Sequence, residues 1–207
     1  MARYTGSVCH LCRRVGDKLM LKGSRCYTPK CALERRHRPM GRRGRRRRPS
    51  DRAIQLAEKQ KARYTYGMME RQFSRFFERA ARQPGVTGDN LIVLLERRLD
   101  NVVYRLGFAD SRNQARQLVR HGHIVLSGRR TNIPSALVKE GDTIAWREES
   151  KKTEYFKQLV EEIKSRAVPS WLALDRQSLV GRVVSLPTPE DAGAKFEGQS
   201  IVEYYSR

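Results

Sequence analysis

Cys9, Cys12, Cys26 and Cys31 are all the cysteines of the chain, and their spacing, C-x2-C-x13-C-x4-C, sets two close pairs on either side of a short loop. Two such hooks can converge on one tetrahedral ion. Thiolates are soft ligands that suit zinc, and a closed set of four leaves no open coordination position, so the centre would be structural rather than catalytic. Four thiolates also fit an iron–sulfur cluster, and spacing leaves that alternative open. Disulfides are disfavoured by compartment. The start, "MARYTGSVCH", is unlike a signal peptide, and no run of about 18 apolar residues occurs. The protein is therefore expected in the cytoplasm, where thiols stay reduced. One metal centre, a zinc ion or else an iron–sulfur cluster, is the expected cofactor.

The segment around the cysteines explains why a metal would be needed. Residues 1–50 carry 16 Lys and Arg against 2 Asp and Glu, within a chain of 43 against 22 and a formal net charge of +21. So basic a segment has little with which to build its own core. Metal binding, on the order of 10 to 16 kcal/mol in small zinc peptides, can fix its shape instead. The run "GRRGRRRR" places Arg42, Arg43, Arg45, Arg46, Arg47 and Arg48 directly after it. Self-repulsion on this scale is relieved by a polyanion, and the guanidinium fork matches phosphate, so nucleic acid is the expected partner.

Beyond Pro49, with Ser50 and Asp51 as a cap, the pattern becomes helical. "DRAIQLAEKQKARYTYG" and "MMERQFSRFFERAARQPG" read as core helices, the second with Met69, Phe73, Phe76 and Phe77 largely on one face. "GDNLIVLLERRLDNVVYRLG" reads as one helix from an Asp89 cap to Gly107. In "SRNQARQLVRHG", Ser111 and Gln114 form a capping box and Gly122 ends the helix. There Arg112, Arg116 and Arg120 recur at i, i+4, i+8 and line one edge, while Ala115, Leu118 and Val119 face inward. No carboxylate lies between residues 111 and 139 to balance them. The period then drops to two. "HIVLSGRRTNI" reads as strand, Ser127-Gly128 turn and strand, delivering Arg129 and Arg130 beside the stripe, and "GDTIAW" as a further strand with Ile144 and Trp146 in register. His121 and His123 flank the junction, as RNA contacts or as locally satisfied side chains. After residue 150 come a helix, "KKTEYFKQLVEEIKSR", a Pro-broken loop, and the alternating ending "SIVEYYSR", with charges nearly balanced.

The stretch "LDNVVYRLGFADSRNQARQLVRHGHIVLSGRRTNIPS" resembles the RNA-binding module named for ribosomal protein four of the small subunit. With "CHLCRR", "RCYTPKCALERR", "RPSD" and "IVEYYSR", the whole chain is similar to the cysteine-containing bacterial branch of that family. The resemblance implies direct binding to small-subunit rRNA at a junction of several helices, nucleation of subunit assembly, and contact with a neighbouring small-subunit protein at an interface linked to decoding accuracy. It also implies a place near the entry path of mRNA. Carried over by position, it puts the module's RNA surface on Arg98, Ser111, Arg112, Gln114, Arg116, Gln117, Arg120, His121 and His123, together with Arg129 and Arg130. The turn departs from the family's usual Asn-Gly.

No phosphate-loop lysine motif, no HExxH and no other catalytic constellation is present, so no enzymatic activity, small-molecule substrate or membrane partner is expected. An RNA-modifying enzyme carrying this module would need a separate catalytic domain, for which too few residues remain. A zinc-bearing DNA regulator would need a base-reading helix and a dimerisation surface. The expected fold is mainly α with a small β-sheet (α+β). It comprises a metal-bound arm over 1–50, a helical domain of 51–94 with 165–207, and a helix-helix-sheet RNA-binding module over 95–164.

Overall fold

The computed structural model describes residues 3–35 and 48–206. Among them the chain runs through α1 (Val8–Val15), α2 (Ala32–Arg35), α3 (Asp51–Thr65), α4 (Glu70–Ala81), α5 (Thr87–Glu96), α6 (Leu99–Arg105) and α7 (Arg112–Arg120). There follow β1 (Ile124–Leu126), β2 (Arg129–Arg130), β3 (Thr143–Trp146), α8 (Glu154–Glu162), β4 (Leu172–Asp175), β5 (Val180–Val183) and α9 (Gly198–Tyr205). Contacts divide the chain into two units, Met1–Ile92 with Gly193–Arg207, and Val93–Ala192.

The first unit is helical. Ser50 starts α3 by accepting the Ala53 N–H on its Oγ at 3.3 Å, which satisfies one of the orphan donors of a helix start. The alternating ending "SIVEYYSR" lies, up to Tyr205, in helix α9. Ile201 and Tyr205 are one helical turn apart, and burial sets the face they share. Ile201 is fully buried, and the Tyr205 ring stacks on Phe77 of α4 with centroids 4.5 Å apart. Phe73 is also buried, whereas Met69, expected on the same face, stays exposed. The cysteine segment has a small core of its own, with Leu11, Leu19 and Leu21 packed beside Tyr64 of α3.

The second unit is α+β. Its antiparallel sheet has the order β2-β1-β3-β5-β4, and its core gathers Leu99, Val102, Val103, Leu106, Phe108, Ile124, Ile144, Trp146 and Trp171. Two sequence expectations change here. Residues 165–192 belong with the RNA-binding module rather than the helical domain, because β5 pairs with β3 (Thr143 opposite Arg182) and β4 pairs with β5. Gly181 permits this packing, since a Cβ there would stand 2.4 Å from Leu106 Cδ1. Nor is the expected arm over 1–50 a separate unit, since its described residues pack on α3.

The long helix expected from Asp89 to Gly107 is two helices, α5 and α6. At the break Leu99 N donates to Ala136 O at 2.8 Å, Asp100 N to Pro134 O at 3.0 Å, and Val138 N to Arg97 O at 2.9 Å. The 134–138 segment takes over the amide partners that a continuous helix would supply, and so it stops one helix and starts the next.

Candidate nucleic-acid interface

Helix α7 begins as expected. Ser111 Oγ accepts from Gln114 N at 3.3 Å, and Gln114 Oε1 accepts the N–H of Asp110 at 2.9 Å. Two residues of the expected RNA surface, Ser111 and Gln114, therefore also hold the helix start together. Ala115 and Val119 are fully buried and Leu118 packs against the same core, which fixes the rotation of the helix.

That rotation sorts the arginines. Arg120 is exposed, as is Gln117, but Arg116 is only 5% exposed and Arg112 is half-buried. Carboxylates absent from residues 111–139 are supplied by α5 and α6. Asp100 holds Arg98 through two bonds, Nε to Oδ1 at 3.1 Å and Nη2 to Oδ2 at 2.7 Å, and its Oδ2 also accepts Arg116 Nη1 at 3.2 Å. Arg98 is fully buried. The structure thus places Arg98, assigned to the RNA surface by resemblance, inside the unit, where its charge is neutralised by a carboxylate. Burial disfavours the charge on Arg116, and nearby Arg98 repels it, while Asp100 supports it.

A second carboxylate extends the network. Fully buried Glu96 accepts Arg105 in a two-bond fork at 2.9 Å each, and its Oε2 accepts Asn101 Nδ2 at 2.8 Å. Asn101 Oδ1 in turn accepts Arg112 Nε at 2.8 Å, and the Arg112 guanidinium lies 4.6 Å over the Tyr104 ring. Arg112 is therefore oriented from beneath before any ligand arrives. Sequence reasoning missed Glu96, Asp100, Asn101 and Tyr104. Their only sequence signal is polar residues in a run otherwise so apolar that their side chains must be buried and therefore partnered.

The hairpin completes the face. Ser127 and Gly128 both have positive φ, +47° and +79°, the backbone that a two-residue turn of the Asn-Gly kind demands. Serine tolerates it here with help from β3, for Ser127 Oγ donates to Asp142 Oδ1 at 2.7 Å and Ser127 N to Thr143 O at 2.7 Å. Arg129 and Arg130 are exposed on β2. Arg130 lies over Gly122 just past the end of α7, since a Cβ on Gly122 would stand 2.7 Å from Arg130 Nε. His121 is exposed. His123 is half-buried with Nδ1 2.9 Å from Ser150 Oγ, and burial, then the charges of His121 and Arg147, lower its pKa. Sequence alone treated the two histidines alike; the fold separates them.

In the first unit, the thiols of Cys9, Cys12, Cys26 and Cys31 are free of disulfides and line one cavity of about 10 Å³, with Val8, Leu21 and Leu33 around them. Burial raises the Cys12 thiol pKa, and the three other cysteines act in the same direction. Cys26 Sγ accepts the Lys22 N–H at 3.3 Å. The thiols are gathered, yet among the described residues no group of three or more His, Cys, Asp or Glu stands in metal-holding geometry. Of the arginine run, Arg48 is exposed. Arg42, Arg43, Arg45, Arg46 and Arg47 lie outside the described residues. Among the described residues no helix is long and apolar enough to cross a membrane.

Comparison with known proteins gives a consistent result. The family described as ribosomal protein S4/S9 N-terminal domain matches residues 3–96, and the S4 domain matches residues 97–144. The chain is 59% identical over 208 residues to small ribosomal subunit protein uS4 of Dehalococcoides mccartyi, covering all of both chains. It is 57% identical over 208 residues to that of Pelotomaculum thermopropionicum and 55% identical over 209 residues to that of Thermus thermophilus, again across both full lengths.

Proposed function

We propose a function from one premise: the chain belongs to the uS4 family of small ribosomal subunit proteins. It is a structural, non-enzymatic constituent of the small subunit, cytoplasmic as part of the ribosome, and it carries the RNA-binding S4 domain. Its rRNA contacts lie on the exposed side of α7 and the hairpin, through Gln117, Arg120, His121, Arg129 and Arg130, with Arg112 held ready at the edge. One observation carries this assignment. The carboxylates that α5 and α6 bring beneath α7, Glu96 and Asp100, are buried and paired with Arg98, Arg105 and Arg116, so neither offsets the exposed Arg120, Arg129 and Arg130. Shape and phosphate contact suit A-form RNA, whose major groove is too deep and narrow for side chains to read.

The wider roles follow from the family resemblance. Binding of rRNA by a scaffold already folded nucleates assembly of the subunit body, a neighbouring small-subunit protein links the chain to translational accuracy, and the basic surface lies near mRNA at its entry path. The test is competition between small-subunit rRNA, large-subunit rRNA and duplex DNA over a salt series. A preference for small-subunit rRNA that survives raised salt is the expected result. Equal binding to all three that collapses with salt overturns the assignment.

The same proposal gives the cysteines a structural metal. Cys9, Cys12, Cys26 and Cys31 would hold one zinc ion, supported by their convergence on one small cavity; a cluster of iron and sulfide is the second candidate for four thiolates. The metal would clamp α1 to the turn at Gly23–Tyr27 and to the start of α2. Elemental analysis of the purified chain is expected to find one zinc per chain. Chelation is then expected to increase proteolysis before residue 50 while the second unit stays resistant. A chain with no bound metal, or one indifferent to chelation, removes the metal from the account.

A further inference from the structure

Arg112 is the first residue of α7, directly after the Ser111 cap. A cation in the first turn opposes the helix dipole, and no acidic residue stands in that turn to offset it. The helix itself gains nothing from this side chain, yet the fold builds a seat for it. Arg112 Nε donates to Asn101 Oδ1 at 2.8 Å, and the guanidinium lies 4.6 Å over the ring of Tyr104. Asn101 is buried, and its amide can face only one way. Its Nδ2 donates to Glu96 O at 3.0 Å and to Glu96 Oε2 at 2.8 Å, which leaves the carbonyl oxygen as the end turned toward Arg112. Glu96 is held in turn by the Arg105 fork, and Arg105 Nη2 also donates to Ala192 O. Arg120 and Arg129 differ: both are exposed, and among the described residues their side chains make no hydrogen bond, ion pair or ring contact.

We propose that Tyr104 and Asn101 are positioning residues for RNA: they fix the Arg112 guanidinium before contact, and so set the affinity of the α7 face for a phosphate that neither of them touches. The inference rests on the rRNA reading given above and deepens it by naming what orders one of its contacts. A mobile arginine gives up rotamer freedom when a phosphate immobilises it, whereas a side chain already seated gives up little. Bonding at Nε and stacking on one face set the plane of the guanidinium, and a two-bond phosphate contact depends on that plane. A pin needed only to hold α6 against α7 would not call for a cation at the end of α7 that disfavours one.

The test is a double-mutant cycle on binding of the full chain to small-subunit rRNA, with circular dichroism and thermal unfolding to establish that each variant is folded. Tyr104→Leu keeps an apolar side chain without the aromatic face, whereas Tyr104→Phe keeps the face. Tyr104→Leu is expected to weaken binding roughly two- to tenfold, and Tyr104→Phe to stay within about twofold of wild type. Asn101→Ala is expected to weaken binding by roughly the same factor as Tyr104→Leu. The deciding step repeats both substitutions with Arg112→Gln already present. There each is expected to change affinity by less than about twofold, because the group they act through is gone, while their effects on thermal unfolding persist. A loss undiminished in that background overturns the proposal, since the residue would then act on RNA directly or through the fold alone. So does Tyr104→Leu or Asn101→Ala binding as wild type, and so does Tyr104→Phe losing as much as Tyr104→Leu, which would place the effect in the hydroxyl. If neither Tyr104→Leu nor Asn101→Ala is folded, Arg112→Lys decides. It keeps the charge but gives up Nε and the planar group, and is expected to weaken binding roughly two- to tenfold; wild-type affinity in that variant overturns the proposal equally. Arg112→Gln alone, set beside Arg120/Arg129/Arg130→Gln, separates this inference from the reading beneath it. A loss only in the triple variant sinks the inference alone, and a loss in neither sinks the rRNA assignment itself.

Discussion

Helices α4 and α7 each carry arginines at i, i+4, i+8, yet the fold treats them in opposite ways. On α4, Arg71, Arg75 and Arg79 all face solvent. On α7, Arg116 is buried against Asp100, Arg112 is tied to Asn101 and Tyr104, and only Arg120 is left exposed. Spacing within one helix therefore does not determine what a basic stripe does. What determines it is whether a neighbouring element brings a carboxylate beneath, as α6 brings Asp100 and α5 brings Glu96.

The contrast is broken most forcefully at Asp100. Asp100→Ala leaves Arg98 and Arg116 as buried charges without their shared carboxylate, and is expected to destabilise the second unit by about 3 to 5 kcal/mol, read by chemical denaturation. Asn101→Ala, which removes a donor from Glu96 and the acceptor of Arg112, should cost about 1 to 3 kcal/mol. Arg75→Ala on α4 should stay within about 0.5 kcal/mol of wild type. Equal effects at Asp100 and Arg75 would erase the distinction between the helices.

The smallest effect concerns pH. Burial lowers the imidazole pKa of His123 from the ordinary 6.5, and His121 and Arg147 lower it further. The folded protein therefore binds fewer protons there than the unfolded chain. The contribution of His123 to stability is full above the ordinary imidazole range and is lost as pH falls through it toward the depressed value. A shallow decline in stability between pH 7 and 5 that His123→Gln removes is the expected result. A decline unchanged in that variant excludes His123 as its source.

Local signals in the sequence carried over well. The Ser111–Gln114 cap, the two-residue turn at Ser127-Gly128 and the buried pair Ile144 and Trp146 were legible because each depends on neighbours a few residues away. The α5/α6 break was not, since it depends on amides finding acceptors in the 134–138 segment. Nor was the pairing of Arg98 and Arg116, because a search for balancing charge confined to residues 111–139 stops short of Asp100. The hairpin of strands 172–175 and 180–183 is not legible as part of the sheet, because what joins it is the pairing of β5 with β3, Thr143 opposite Arg182, far apart in sequence. The cysteine cluster was visible from spacing, while the leucines that pack beside it are scattered through the loop and show no period.

The most direct test of the account is the salt dependence of small-subunit rRNA binding by the full chain with Arg120, Arg129 and Arg130 changed to Gln. These residues are exposed, so stability should be nearly unchanged while the logarithmic slope falls by roughly 2 to 3. A slope equal to wild type would contradict the claim that the exposed side of α7 and its hairpin is where this protein holds RNA.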